Sequence, residues 1–341
     1  MANEIRMGHL RGIVMRAPGM TDTAKFYTDL WGLDIAHRED GIVYLHGTGP
    51  EPFIYGLKDD DTYGIEYIHF GQPDRATIDA FYTQVKARGA TVLGDPAEID
   101  GPFGGYGFEL LDPDNRRLRV TADLKMRDAE EKYSYPRKIS HVVLNTVDMD
   151  SAQAWYENVL GFRASDYSAD QMVFMRCSTD HHSIALVRNK YPAVNHVAFE
   201  MAGVDDYMRG IGRMKQKGQV PTWGPGRHGP GNNPFAYFVS PSGFVIEFVA
   251  ELKQIDESTH QPKVWSRTDP EAMDQWMTAG PPTPAQRAVY IDVIPRILGF
   301  RTKLSWSRVG PPVSDWRPSG RCSQKGQMLR SAHEARNVYH L

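Results

Sequence analysis

Three side chains that can bind a metal ion lie on segments that the sequence predicts to be strands. His141 lies in the segment ISHVVL, His196 in VNHVAF and Glu247 in FVIEFV. The last segment is apolar on both faces apart from Glu247. Because burying a carboxylate without a partner is very costly, Glu247 requires a cation or a hydrogen-bond donor.

Two imidazoles and one carboxylate on three strands of one sheet form a distinctive set of metal ligands. This set is typical of non-haem Fe(II) oxygenase sites, which leave coordination positions open for reactants. Sites of this kind also accept Mn(II), and the availability of the metal often decides between the two. The sequence therefore predicts an Fe(II) centre, with Mn(II) as the alternative metal.

Residues 227–248 combine further reactive side chains with a tight turn. This stretch contains His228 in a glycine-rich loop and Tyr237 on a predicted strand. Ser240-Pro241-Ser242-Gly243 follows, with the proline and glycine where a strand-to-strand turn favours them. Asn232 and Asn233 are interpreted as residues that shape the loop.

The two halves of the chain repeat the same order of elements. The segment FYTDLWGL at residues 26–33 recurs as WYENVLGF at 155–162, and Asp112-Pro113 recurs as Ser240-Pro241. Similar segments at nearly constant spacing indicate an internal duplication. Each half reads as a strand, a helix and several strands, which predicts an α+β fold with curved mixed sheets.

The repeat also tests whether the predicted metal site is a by-product of the pattern. Mapping the three candidate ligands onto the first half gives Gly12, Tyr67 and Arg119. None of these matches the corresponding ligand, and Arg119 would repel a cation. The sequence therefore predicts the metal site in the second half alone.

The repeat sets the expected domain boundaries. We expect an N-terminal module without metal over residues 1–125, a catalytic metal-binding module over 138–260 and a C-terminal extension over 261–341. In the first module the pattern predicts a helix over Thr21–Leu30. It also predicts a short strand over Phe53–Tyr55.

The extension has no counterpart in the repeat. Trp265 and Trp276 suggest an ordered, irregular strap across a surface. Residues 301–341 are basic and rich in proline, serine and glycine. This composition predicts a loosely structured tail or an arm on a neighbouring subunit. It disfavours a nucleic-acid arm, because no aromatic stacking pattern accompanies the charge.

Size and composition exclude several classes of protein. The chain has 341 residues, of which 41% are apolar and 24% charged, and its formal net charge is -3. This charge argues against nucleic acid or an anionic membrane as the main partner. No apolar run approaches the roughly 18 residues of a membrane helix, and the N-terminus lacks a signal-peptide core. Two cysteines, Cys177 and Cys322, suit a reducing cytoplasm.

These residues resemble the two-domain extradiol ring-cleavage dioxygenases of the vicinal oxygen chelate superfamily. In that family the metal is bound by two histidines of the C-terminal module and by a glutamate after a Pro-Ser-Gly or Pro-Asp-Gly turn. The corresponding residues in this sequence are His141, His196 and Glu247. The Gly-Arg-His-Gly loop at 226–229 and Tyr237, ten residues before the glutamate, also match. The likeness implies a fold of tandem βαβββ modules.

The resemblance also implies roles for side chains around the metal. His182, fourteen residues before the second ligand, is implied as the acid–base catalyst over the O2 site, with His181 as the alternative. Otherwise His181 is expected to be exposed or structural. His228 and Tyr237 are implied to hydrogen-bond the substrate oxygen. The candidate pocket walls are Phe174 and Trp223, named as substrate-binding residues, and Phe235, with core packing as the alternative for each.

The implied reaction is cleavage of an aromatic diol by O2, with the ring opened beside the diol. The diol would occupy two positions on the metal and O2 the third. We expect an uncharged substituted catechol or a trihydroxybenzene such as trihydroxytoluene. An acidic substrate would need a basic pocket residue, and the sequence alone does not place Arg176, Arg188 or Arg227 in the pocket. Family likeness also implies a homo-oligomer, with a tetramer as the expected form.

Two other functions fit the same fold. A glyoxalase-like isomerase or lyase takes metal ligands from two modules, and Arg119 in place of a carboxylate argues against that arrangement. An aromatic-binding module without activity would have no reason to keep all three candidate ligands. The ring-cleavage dioxygenase remains the preferred interpretation.

Overall fold

The computed structural model of the protein describes residues 4–39 and 41–289. Its strands form two mixed sheets of nine strands each. The predicted basic tail over 301–341, and Cys322 with it, lies outside the described residues. Within the described part of the chain, no helix is both long and apolar enough to cross a membrane.

The first sheet is built from the first half of the chain. Its strands are β1 (Leu10–Ala17), β2 (Asp34–Glu39), β3 (Ile42–His46), β4 (Tyr55–Asp59), β5 (Gly64–Gly71), β6 (Thr91–Val92), β7 (Ala97–Glu98), β8 (Tyr106–Leu111) and β9 (Arg117–Ala122). Their spatial order is β2-β3-β4-β1-β5-β9-β8-β6, and β7 pairs with β8.

The second sheet repeats this arrangement and adds one strand. Its strands are β10 (Lys138–Thr146), β11 (Arg163–Ser168), β12 (Met172–Arg176), β13 (Ile184–Arg188), β14 (Ala193–Glu200), β15 (Trp223–Arg227), β16 (Pro234–Val239), β17 (Val245–Val249) and β18 (Lys263–Trp265). The spatial order is β15-β16-β17-β14-β10-β13-β12-β11-β18.

Helices connect the strands and pack on the sheets. They are α1 (Ala24–Phe26), α2 (Arg75–Ala87), α3 (Met149–Leu160), α4 (Val204–Gln216), α5 (Pro270–Met273) and α6 (Pro284–Val289). Aspartates begin three of them, because Asp74 accepts a hydrogen bond from the Thr77 N–H, Asp148 from the Ser151 N–H and Asp269 from the Glu271 N–H.

Each sheet contains two units of a strand, a helix and further strands. In the second sheet one unit is β10, α3 and β11–β13, and the other is β14, α4 and β15–β17. The first strands of the two units, β10 and β14, pair antiparallel at the centre. The predicted α+β fold of tandem βαβββ modules is confirmed, with two such units in each half.

Two local predictions in the first half were wrong. Residues 21–31 form a 3-10 turn, the short α1 and a π turn (Tyr27–Trp31) in place of one α-helix. The wider π turn arises because the Gly32 N–H donates to the Tyr27 carbonyl at 2.9 Å. The strand predicted around Phe53–Tyr55 begins only at Tyr55 and runs to Asp59 as β4.

One hydrophobic core spans both halves of the described chain. The indole of Trp31 stacks on Phe248 with 3.7 Å between ring centroids, and its edges meet Phe199 and Phe238. All four rings are buried. A residue of the first half thus packs on strands of the second half, one of which carries Glu247.

Part of the extension is an ordered component of the second sheet. β18 pairs in parallel with β11 at the edge of that sheet. Asp274, just after α5, is fully buried and accepts hydrogen bonds from the N–H groups of Arg227, Trp276, Ala279 and Gly280. The extension is therefore fixed to the loop that contains His228.

Candidate active site

Four residues lie in one row across the second sheet. His141 pairs with Ala198, Ala198 pairs with Glu247, and Glu247 pairs with Tyr237. Side chains of paired residues on neighbouring strands point to the same face of a sheet. His196 lies two residues before Ala198, so it points to that face as well. The strand register therefore brings the three candidate ligands and Tyr237 together.

A second row continues this face with apolar side chains. His196 pairs with Val143, Val143 with Ala185, and Ala185 with Phe174. Val143, Ala185 and Phe174 form a buried cluster. At the other end of the first row, Trp223 pairs with Tyr237. The face thus carries polar residues at its centre and apolar or aromatic ones on both sides.

The candidate ligand atoms of His141, His196 and Glu247 all lie within 4.8 Å of one another. Oε2 of Glu247 is 3.3 Å from Nε2 of His141 and 3.2 Å from Nε2 of His196. Neither contact has hydrogen-bond geometry, and both carboxylate oxygens of this buried glutamate lack a hydrogen-bond partner in the described part of the chain. This arrangement fits a divalent cation between the three side chains.

The electrostatics of the site keep Glu247 charged. Burial acts to raise the pKa of its carboxyl group, but the nearby imidazoles of His141 and His196 outweigh this effect and lower the pKa to about 2. Burial also lowers the pKa of His196, against the opposing effect of Glu247. Neutral imidazoles beside an ionised carboxylate are the protonation states that a metal ion requires.

The first sheet has a different chemistry at the corresponding positions. Arg119 pairs with His69 in β9 and β5, in the register that relates Glu247 to Ala198. The guanidinium of Arg119 lies 3.8 Å from the ring centroid of Tyr67 and forms an ion pair with Glu109 at 2.7 Å. In the first sheet the positively charged side chain of Arg119 thus lies at the position that corresponds to the candidate ligand Glu247.

His228 and Tyr237 are hydrogen-bonded to each other. The Nδ1–H of His228 donates to the carbonyl of Met273 at 3.0 Å, so its Nε2 accepts from the Tyr237 hydroxyl at 2.9 Å. Burial lowers the pKa of His228 to about 4, although Glu247 opposes the shift. The ring of His228 also stacks on Phe235, with 3.9 Å between centroids.

His182 and His181 are both buried next to the candidate ligands. The ring centroid of His182 is 4.1 Å from that of His141. His181 is 0% exposed, so of the two expected alternatives, exposed or structural, only the structural one is left. Its Nε2–H donates to Asp166 at 3.1 Å, and its Nδ1 lies 3.0 Å from Nδ1 of His182. Burial lowers the pKa of His181, against the effect of Asp166, and lowers that of His182 well below its usual value.

These side chains border a cavity of about 320 Å³. The candidate residues His182, His228, Tyr237, Phe174 and Trp223 line it, as do His141 and His196. Phe235 does not line it, because its buried ring stacks on His228. Asn233 lines the cavity too, while Asn232 has a left-handed backbone with φ of 52°. Both positions agree with a role in shaping the loop.

Arg176, Arg188 and Arg227 do not line the cavity. Arg176 pairs with Glu257, Arg188 with Asp150, and Arg227 with Glu251. The arginines that line the cavity come from the extension, and they are Arg267 and Arg287. Both are exposed, so they lie where the cavity opens to solvent.

Sequence reasoning missed the residues that hold the candidate catalytic side chains. Asp166 accepts from His181, and Met273 accepts from His228. Gly229 belongs to the same arrangement, because a Cβ atom there would lie 2.6 Å from the Trp265 ring and 2.9 Å from Ala272. The one sequence signal was Trp265, which suggested an ordered strap without indicating what it covers.

Two stretches of the chain, residues 6–120 and 138–248, match the model of the Glyoxalase/Bleomycin resistance protein/Dioxygenase superfamily. The chain is 29% identical to metapyrocatechase 2 of Cupriavidus necator over 59% of its own length and 68% of the relative. It is 26% identical to an iron-dependent extradiol dioxygenase of Rhodococcus jostii, over 71% of this chain and 91% of that one.

A solved structure adds to this likeness. The crystal structure of a Mn(II)-bound glyoxalase from Novosphingobium aromaticivorans superimposes with a TM-score of 0.77 at 36% identity. The match covers 82% of this chain and 94% of the other. The family model matches both halves of the chain, and the described residues have the corresponding fold. The protein therefore belongs to the Glyoxalase/Bleomycin resistance protein/Dioxygenase superfamily.

Proposed function

We propose that the protein is an extradiol ring-cleavage dioxygenase acting on a substituted catechol or trihydroxybenzene. One observation carries this proposal most strongly. A fully buried glutamate, Glu247, has two carboxylate oxygens without hydrogen-bond partners in the described chain and lies beside two histidines that border an apolar cavity. An ionised carboxylate in that position needs a cation. The names of the iron-dependent relative and of metapyrocatechase 2 agree with ring-cleavage chemistry.

Fe(II) or Mn(II) would be held by His141, His196 and Glu247. The bound metal would lower the pKa of a coordinated hydroxyl group and would offer open coordination positions for a diol and O2. The carboxylate contributes a negative charge and the two imidazoles remain neutral. Substrate orientation and proton transfer would be carried out by side chains that line the cavity.

His228 and Tyr237 would receive a proton from the substrate. Tyr237 donates its own proton to His228, which leaves the phenolic oxygen as an acceptor for a substrate hydroxyl. His228 stays in place because its other ring nitrogen is bound to the Met273 carbonyl. A pair held in this way orients the substrate and moves a proton without rearrangement of the site.

The apolar side of the cavity would bind the aromatic ring and exclude water. Phe174 and Trp223 form opposite walls, and Val143 and Met172 lie beside Phe174. His182, between this wall and the candidate ligands, would act as the acid–base catalyst. Positioned proton transfer of this kind contributes about 10²- to 10⁴-fold to rate.

A glyoxalase-like isomerase is the second candidate, and the 36% identity to a Mn(II)-bound glyoxalase favours it. Two features argue for the dioxygenase. The candidate ligands all lie in the second sheet, with Arg119 at the position that corresponds to Glu247. In addition, three further polar side chains, His182, His228 and Tyr237, converge on the cavity.

The walls of the cavity bear on the substituent of the substrate. The inner walls are apolar, which favours an uncharged catechol or a trihydroxybenzene such as trihydroxytoluene. Arg267 and Arg287 lie at the outer end, where they could pair with a carboxylate on a longer substituent. A substrate panel should therefore contain both kinds of compound.

The test is anaerobic metal analysis of the purified protein, followed by a catechol panel and then air. We expect about one Fe(II) or Mn(II) per chain, O2 uptake and a yellow ring-opened product. The panel should pair each uncharged catechol with its carboxylate analogue and include a hemithioacetal. Isomerisation of the hemithioacetal without O2 uptake would replace this proposal with the glyoxalase-like one.

A further inference from the structure

A chain of three buried polar side chains runs from the edge of the second sheet to the cavity. Oδ2 of Asp166 is 3.1 Å from Nε2 of His181, and Nδ1 of His181 is 3.0 Å from Nδ1 of His182. All three residues are at most 5% exposed. Only His182 of the three lines the cavity. Asp166 and His181 do not border it.

The extension fixes the first member of this chain. Oδ1 of Asp166 accepts a hydrogen bond from the backbone N–H of Lys263 at 2.8 Å. Its Oδ2 accepts a second from the indole N–H of Trp265 at 2.9 Å, besides the one from His181. Three donors facing one carboxyl group favour the ionised form, which can only accept hydrogen bonds.

The ionised carboxylate determines the position of each proton along the chain. Because Asp166 can only accept, Nε2 of His181 carries a proton and Nδ1 of neutral His181 does not. Nδ1 of His181 must then accept, so Nδ1 of His182 carries the proton between the two rings. This arrangement leaves Nε2 of His182 as an unprotonated nitrogen on a side chain that lines the cavity.

We propose that Asp166 and His181 are positioning residues that hold His182 in its Nδ1–H form, so that Nε2 of His182 enters the reaction as a proton acceptor. This inference rests on the proposed function for its chemical meaning. A diol carries two hydroxyl protons, of which the Tyr237–His228 pair would accept one. His182 would accept the other on Nε2 and later return it to the product, with no change in oxidation state.

The tautomer can be measured without metal or turnover. The full chain with 15N-labelled histidine, prepared metal-free, would be examined by long-range 1H–15N correlation spectroscopy. A His182→Phe sample assigns the signals of that ring by their loss. We expect His182 to be protonated on Nδ1 and His181 on Nε2. Protonation of His182 on Nε2 in the unaltered protein would overturn the proposal.

A matched pair of variants tests the function of the link. Asn and Leu have nearly the same size, but only Asn offers an oxygen to accept the Nδ1–H of His182. We expect His181→Asn to keep the tautomer and most of the activity. In contrast, His181→Leu should shift His182 to the Nε2–H form and lower kcat about 10- to 100-fold with an unchanged KM.

The nearby His260 provides a control, because it binds the Ser165 carbonyl and stands outside the chain of three. His260→Leu should leave the tautomer of His182 and kcat unchanged. Equal loss of kcat in His181→Asn and His181→Leu, at equal metal content, would refute the positioning role. Failure of the proposed function is distinguishable, since the unaltered protein would then show the Nδ1–H form without O2 uptake on any catechol.

Discussion

Arg119 and Glu247 occupy equivalent positions in the two sheets and carry opposite charge. Arg119 pairs with His69 in the same register in which Glu247 pairs with Ala198. In the first sheet the positive charge belongs to the chain itself and is paired with Glu109. In the second sheet a negative charge is left without a hydrogen-bond partner in the described chain. The duplicated fold thus offers a control position for each candidate ligand.

The first prediction uses this pair of positions. Glu247→Gln removes the only negative charge from the candidate ligand set, so bound metal and activity should be lost together. Arg119→Gln alters the equivalent strand position and should keep about one metal per chain. Measuring the metal content of both variants after anaerobic purification tests this prediction. Full metal and activity in Glu247→Gln would remove this glutamate from the ligand set.

The second prediction concerns His182. His182→Phe should retain the metal and anaerobic binding of a catechol, because the three candidate ligands are intact. Its kcat should fall by about 10²- to 10⁴-fold, as expected for loss of a positioned acid–base group. Stopped-flow mixing of the anaerobic substrate complex with O2 measures this step directly. An unchanged turnover rate would show that another residue acts as the acid–base catalyst.

The third prediction separates catalysis from packing at Tyr237. Tyr237→Phe keeps the ring that faces Trp223 and removes the hydroxyl that donates to His228. We expect kcat to fall about 10- to 100-fold with little change in Tm. Tyr207→Phe is the counterpart, since the Tyr207 hydroxyl donates to the Phe235 carbonyl and neither residue lines the cavity. That variant should lower Tm without a selective loss of kcat.

The fourth prediction is a loss of stability in alkali. Burial raises the pKa of Tyr27 to about 12, against an ordinary value of 10.0. The unfolded chain therefore releases this proton at lower pH than the folded protein does. The stabilisation is complete below pH ~10 and is lost as the pH rises toward ~12, by about 1.4 kcal/mol at about pH 11.

Urea unfolding at several alkaline pH values measures this dependence. Burial also raises the pKa of other tyrosines, among them Tyr55 and Tyr156. Tyr27→Phe should therefore lessen, without abolishing, the decline in the free energy of unfolding between pH ~10 and ~12. Tyr133 is 76% exposed, so Tyr133→Phe should leave the decline unchanged. A decline that is equally steep in Tyr27→Phe and the unaltered protein would contradict the assignment to Tyr27.

The repeat made the architecture and the candidate ligands predictable from sequence. Turn residues and apolar segments indicated the central strands, and a lone glutamate in an apolar strand indicated a cation site. The pairing register was not predictable, because it depends on contacts between strands far apart in sequence. The row from His141 through Ala198 to Glu247 and Tyr237 emerges only when the sheet is formed.

The positioning residues were less accessible to sequence reasoning. β11, which contains Asp166, reads RASDYS and gives no apolar pattern that would mark its aspartate as buried. The extension lies beyond the repeat, so no internal comparison identified Met273 or Asp274 as partners of the His228 loop. In the π turn, tertiary packing of Tyr27 and Trp31 in the core overrode the helical pattern.

Because the extension supplies hydrogen bonds to the candidate site, it affects the order in which that site is assembled. Chains fold from the N-terminus as they are synthesised. The three candidate ligands and Tyr237 have all been made by residue 247, but Lys263, Trp265 and Met273 follow later. A nascent or proteolytically shortened chain could thus bring the candidate ligands together while Asp166 and His228 still lack hydrogen-bond partners from the extension. Residues 263–273 would supply the last hydrogen bonds around Asp166 and His228, after the candidate ligands have come together.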